Sequence, residues 1–214
     1  MALTRLGPNQ AVNLSTNTTG TLGVANGGTG LTSGTTDQLL KFTGSTTLAS
    51  SAISTGKILQ VQYDNKASTA STTDKASSGN YADLLSVDIT PSATSSKIMI
   101  SAMVTEGASS SSDGSCILRL LRDSTQIGGG TASGSRISST TGRKTASADA
   151  NTINSESITW IDTPSTTSQV TYKVQFASRG GGSGTAYIGQ TANDGNDTEN
   201  QRTSCNLTLF EIGA

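Results

Sequence analysis

Histidine is missing altogether from this 214-residue chain. Its absence removes imidazole both as a general base and as a metal ligand. No Ser-His-Asp or Cys-His arrangement can be assembled, so the abundant serines have no imidazole to activate them. Aromatic residues make up only 4% of the chain, with a single tryptophan, and charged residues only 14%. Leu, Ile, Val and Phe together supply fewer than one residue in five, which leaves one copy with a thin core. No apolar run reaches the length of a membrane span, and the N-terminus lacks the charged-then-apolar pattern of a secretory signal. Synthesis in the cytoplasm, without membrane insertion, is the expectation. The net charge is -1 and no basic run exceeds two residues, so nothing is provided to neutralise nucleic-acid phosphates.

What is present is hydroxyl. Serine and threonine form about a third of the chain, a composition suited to β-strands with polar faces and to polar loops. The near-zero net charge withholds the other half of the signature of disorder. A folded chain with so little apolar surface is expected to complete its core with neighbours, as an obligate homo-oligomer. The two cysteines, Cys116 and Cys205, sit in phase with Leu118 and Leu120 and with Leu207 and Leu209. Buried free thiols are expected there rather than a disulfide. The four Asn-x-Ser/Thr sites at Asn13, Asn17, Asn196 and Asn206 are what a Ser/Thr-rich chain yields by chance.

Residues 1–18 read as an extended arm, with Leu3, Leu6, Val12 and Leu14 isolated among polar residues and a turn at Gly7-Pro8. Residues 19–56 read as a neck. Its run TGTLGVANGGTGLTSG has only Leu22, Val24, Ala25 and Leu31 to bury, and Asn26, Gly27, Gly28 and Gly30 permit close backbone approach. Such a run is stable only when wrapped with other chains. Leu39, Leu40 and Phe42 fit a short strand or a half turn equally well.

Residues 57–214 change character. Leu59, Val61 and Tyr63 share one phase, then Leu85, Val87 and Ile89, then Ile98, Ile100, Ala102 and Val104, with Met99 and Met103 on the opposite face. That double-sided strand is expected to be covered on both sides. Residues 116–122 and 125–127 form a hairpin, residues 155–162 a strand, and Val170, Tyr172, Val174 and Phe176 the cleanest alternation of all. Residues 186–188 and 204–212 follow. In the last of these the apolar phase switches from Leu209 to Phe210, which predicts a bulge or a strand buried on both faces at its end. Residues 64–80 and 106–115 read as exposed loops, and residues 128–154 as loop with short strands. Eight or nine short strands and no convincing helix predict a two-sheet antiparallel sandwich of jelly-roll type.

Candidate chemistry is sparse. Glu156, Asp162, Asp194, Asp197 and Glu199 offer carboxylates for glycoside cleavage, yet no long parallel-coil repeat accompanies them, and no enzyme is expected. The acidic loop at 194–199 lacks EF-hand spacing, and neither a metal nor a cofactor is expected. Trp160, in phase with Ile158, is expected in the core. Tyr187, flanked by glycines, is the better exposed aromatic. With Arg179, Asn193, Asn196 and Asn200 it forms a candidate rim for stacking on and hydrogen-bonding to a glycan, set against the plainer reading of solvated loop residues.

Several stretches add a resemblance. The GGTG run resembles the repeats of tailed-bacteriophage fibres, and MALTRLGPNQ looks like the opening of marine phage virion proteins. SVDITPSATSSKIMI, LRLLRDSTQI, WIDTPSTTSQVTYKVQF and LTLFEIGA are similar to the C-terminal knobs of fibres and other virion proteins of cyanophages and related marine phages. The resemblance implies a homotrimeric virion component, a tail fibre docked on other phage structural proteins through Leu3, Arg5, Leu6, Val12 and Leu14. Its neck would be formed by Leu22, Val24, Asn26, Gly27, Gly28 and Gly30. Its knob would be offered to a host-surface polysaccharide or protein. A capsid-bound head fibre or decoration protein is the alternative. A cellular lectin-like module is a third reading, and it requires residues 57–214 to be monomeric and to bind sugar.

Overall fold

The computed structural model describes residues 29, 31, 34, 35, 38–45, 47–51, 56–108, 115–144, 150–179 and 184–213. The chain divides into two units, Met1–Ser54 and Thr55–Ala214. The docking residues Leu3, Arg5, Leu6, Val12 and Leu14 and the neck residues Leu22, Val24, Asn26, Gly27, Gly28 and Gly30 lie outside the described residues. In the first unit, β1 (Leu39–Gly44) and β2 (Thr47–Ser51) pair as an antiparallel hairpin. The segment that fitted strand or half turn equally is therefore a strand. Leu39, Leu40 and Phe42 are all more than half exposed on it.

The second unit is an all-β antiparallel sandwich. Its strands are β3 (Ile58–Lys66), β4 (Ala70–Thr72), β5 (Ala82–Ile89), β6 (Lys97–Ala108), β7 (Ser115–Arg122), β8 (Thr125–Ile127), β9 (Thr141–Lys144), β10 (Ile153–Asp162), β11 (Val170–Ala177), β12 (Ala186–Ile188) and β13 (Cys205–Ile212). One sheet runs β3-β13-β6-β12-β4, with β10 on the other flank of β6, and the second runs β5-β11-β7-β8, with β9 also on β7. Among the long strands, β3, β6, β10 and β13 belong to the first sheet and β5, β7 and β11 to the second. The chain thus crosses between sheets repeatedly, and its first and last long strands lie side by side.

Period-two alternation explains the core. Leu85, Val87 and Ile89 face Ile98, Ile100, Ala102 and Val104 across the sandwich, with Cys116, Leu118, Leu120, Val170, Tyr172, Val174, Phe176, Cys205, Leu207 and Leu209 completing one cluster. Burying each large side chain here contributes about 1.5–3 kcal/mol. Both cysteines are free and buried, as their phase predicts. At the end of β13 the pairing shifts because β3 carries the extra residue Leu59, while β13 keeps its alternation, with Leu209 and Glu211 inward and Phe210 and Ile212 outward.

Four expectations are corrected. Residues 64–80 are not one loop, because β3 runs on to Lys66 and is followed by β4 and a 3-10 turn at Ala76–Ser78. Residues 106–108 are not loop either, since β6 extends through them and Glu106 is fully buried. Nor is β6 covered on both sides, for Met103 on its outer face is 41% exposed. Finally, Trp160 is 42% exposed rather than core. It does share its phase with the buried Ile158, but β10 pairs on one side with β6 and flanks the sheet. Near the end of that strand, the indole lies over Gly128 instead of beneath the second sheet. A Cβ added at Gly128 would stand 3.2 Å from the ring.

Candidate functional site

The residues expected to form a glycan rim fall into separate places. Arg179 follows β11, its backbone N–H donating to Ser115 Oγ at 2.9 Å, and it lines a small cleft with Ser115, Ile117, Ser139, Gly142 and Arg143. Tyr187 is the middle residue of β12, half-buried, between Ala186 and Ile188, which point into the core. Asn193, Asn196 and Asn200 belong to the loop between β12 and β13. That loop is closed on itself: Thr191 donates to Asn200 at 2.6 Å, Asn200 donates to Asp197 at 2.6 Å, and Arg202 pairs with Asp194 at 2.6 Å. The Asn200 amide is thus spent on holding the loop's shape, whereas Asn193 and Asn196 stand exposed.

The candidate carboxylates are similarly engaged. Asp162 accepts from Arg122 Nη1 at 2.9 Å and from the Tyr172 hydroxyl at 2.7 Å, which ties β10 of one sheet to β7 and β11 of the other. Burial, the hydrogen bond to Asp162 and its charge together push the Tyr172 phenol far above its ordinary range. Glu156 accepts from Thr141 Oγ1 at 2.9 Å, and Glu199 from Asn151 at 3.1 Å.

Two buried carboxyls escaped the sequence reading. Glu211 takes an inward position at the end of β13 and accepts at Oε1 from Ser92 N, Ser92 Oγ and Ser96 Oγ at 2.6–2.7 Å, and at Oε2 from Gln60 at 2.7 Å. Burial alone would raise its pKa. The four donors outweigh that and hold it down to about 2. This carboxylate pins the loop between β5 and β6 onto the last strand.

Glu106 is the opposite case. Neither of its oxygens meets an N–H or O–H donor. Burial first, then the charge of Glu156, raises its pKa to about 7, with the Cys116 thiol and Arg143 pulling the other way. The thiol is a weak donor. Burial and the same carboxylates push the Cys116 thiol itself well up. A raised acid beside a carboxylate has the electrostatics of a general acid, but Glu106 has no exposure to any ligand. It belongs to the core.

An open groove of about 500 Å³ lies where the 3-10 turn, β7 and the segment after β8 meet, lined by Ser77, Tyr81, Arg119, Gln126, Arg136 and Ser138. Gly79, at φ 76°, closes the turn that delivers Tyr81. The Arg119 guanidinium stacks 3.7 Å from the Tyr81 ring centroid while its Nε donates to Gln175 at 2.7 Å. Burial raises the Tyr81 phenol and Arg119 partly offsets it. Arg136 is held by Ser133 Oγ at 3.1 Å, and Gln126 reaches Ser138 at 3.3 Å. The groove is polar, cationic at two points, and suited to hydroxyls and carboxylates. It escaped the sequence reading; the turn pair Gly79-Asn80 just ahead of Tyr81 is its one local signal. Arg119, Gln126, Arg136 and Ser138 reach it from more than thirty residues away in sequence.

No family model matches the chain, and no curated protein matches it. Among solved structures it is similar to one of infectious bursal disease virus, Gx strain, at 16% identity and a TM-score of 0.35. That match covers 83% of this chain and 42% of the other.

Proposed function

We propose that this chain is a structural component of a tailed-phage virion. It is a homotrimeric tail fibre that docks through its N-terminal arm, intertwines through its glycine-rich neck and presents its sandwich as a knob. The observation that carries this reading is the β1–β2 hairpin. An isolated two-stranded hairpin is marginal in water. This one leaves Leu39, Leu40 and Phe42 largely exposed within a single copy. Other copies wrapped on the same stretch would cover them. The alternation of long strands between the sheets, with β3 beside β13, supports a jelly-roll connectivity for the knob.

No chemical step is assigned. Contact with a host-surface polysaccharide falls to the groove of Tyr81, Arg119 and Arg136, and three such grooves on one particle would act with avidity. The test is the mass of the full chain in solution together with assembly of virions carrying a chain deleted for residues 1–18. A trimer, and particles lacking the truncated chain, are expected. A stable single copy, or normal incorporation of the truncated chain, overturns the reading. Tail-specific against capsid-specific labelling separates the fibre from the head-decoration alternative.

A further inference from the structure

The two outer faces of the sandwich differ in kind. On the β5-β11-β7 sheet the outward side chains are charged and bonded to one another: Lys173 pairs with Asp83 at 3.5 Å, Thr171 donates to Asp88 at 2.6 Å, and Arg119 donates to Gln175 at 2.7 Å. That surface is finished for water. The β3-β13-β6-β10 face is not. Register places Val61 opposite Phe210, Phe210 opposite Met99, and Met99 opposite Ile161, a straight apolar row across four adjacent strands. Behind it runs Tyr63, Thr208, Ser101 and Thr159, and then Asn65, Asn206, Met103 and Ser157. No charged residue stands in these three rows. Val61 is 45% exposed, Tyr63 67% and Ile161 56%.

At the usual strand spacing and rise, four strands by five residues make a face of roughly 330 Å², in the range of the largest surface patches of single-chain proteins, which are often functional. Uncharged, aromatic- and methionine-bearing centres are the composition of interface cores.

We infer that this face packs against the same face of further copies of the chain. Its chemistry is self-complementary. Uncharged faces with apolar centres pack together about a twofold or a threefold axis alike, and each serine, threonine and asparagine offers both a donor and an acceptor to a neighbouring copy. Charge enters at the margins of this face, with Lys97 in the next row and Arg202 beside Met103. The point of chain entry agrees: Gly56 N–H donates to Gly213 C=O at 3.0 Å, beside Leu59 at the end of β3 that carries the apolar row. Chains gathered by their preceding segments would be held together at the end of β3 that carries this row. The number three rests on the proposed fibre, whereas the choice of face does not.

The experiment uses the full chain. Its mass is measured by light scattering, and side-chain access by mild peroxide oxidation of Met103 and hydroxyl-radical labelling of Tyr63. Assembled protein is expected to react about tenfold more slowly at both positions than the double variant M99K/F210K, since a packed face excludes water. The single edge variant Val61→Lys serves should the double variant lose its β-sheet circular dichroism. Ser86→Glu, on the opposite charged face, is expected to change neither readout. A multimer in which Met103 and Tyr63 react as fast as in the variant overturns this face and leaves the fibre reading standing. A single-copy particle overturns both.

Discussion

Glu211, on the last strand, accepts a hydrogen bond from Ser96 Oγ at 2.7 Å, and with it the loop joining β5 to β6 is fastened to the chain's other end. Glu211 and Ser96 are both buried. Removing that hydroxyl in Ser96→Ala is expected to cost about 2 kcal/mol, the worth of a buried hydrogen bond to a charged group. Urea unfolding of the two proteins at pH 7 measures it. The pH dependence follows from the same contacts. The folded pKa lies below the ordinary 4.5, at about 2, so the stabilisation is present above 4.5 and is lost as pH falls from there towards 2. Glu211→Gln should abolish that acid-side slope while lowering stability at neutral pH.

Glu106 has the reverse sign. Its folded pKa is raised from 4.5 to about 7, so the folded state holds the proton more tightly than the unfolded chain across that interval. Stability contributed at pH 4.5 is therefore lost as pH rises through 7, by about 3 kcal/mol at most. Glu106→Gln, which resembles the protonated acid, should be flat over this window and more stable than the parent at pH 8. A parent whose unfolding midpoint is level between pH 5 and pH 8 would contradict the burial of this carboxyl.

Gly107 sits next to it, and a Cβ there would come within 2.4 Å of the Gln190 carbonyl oxygen. Backbone cannot yield as a side chain does. Gly107→Ala is expected to destabilise by about 3 kcal/mol, or to part β6 from the segment after β12, with denaturant unfolding as the check. Gly130→Ala, with open space around its Cβ, is the matched control.

Trp160 reports on the edge of the sandwich. The single indole, 42% exposed, should emit at long wavelength and be quenched readily by acrylamide. Gly128→Val strains the backbone at φ 63° and places new atoms where the ring now lies, and both effects should shift that emission further to the red. A blue, poorly quenched spectrum in the parent would return the residue to the core.

The strands were legible because each buries one face, and a period of two survives in any sequence that does so. Val170, Tyr172, Val174 and Phe176 announced β11 without help from the rest of the chain. The same period is silent about which side of a strand the apolar residues will take. Leu59, Val61 and Tyr63 alternate as cleanly as any core strand, yet they point outward, because Gln60 on the other phase is committed to Glu211. Trp160 was misplaced for a related reason: phase assigns a face, whereas burial depends on how far the opposing sheet extends over it. Glu106 looked like the first residue of a serine-rich loop, and only the pairing of β6 with β10 and β12 carries it inside.

Composition by itself determined that no imidazole of this chain takes part in whatever it does, since it has no histidine in any fold. Local alternation determined that the second unit would be strands. Which apolar faces meet within one copy, and which of them is left outside across β3, β13, β6 and β10, was decided only by tertiary pairing. Contacts between strands far apart in sequence depend on register and sheet order, and those are properties of the assembled sandwich rather than of any segment in it.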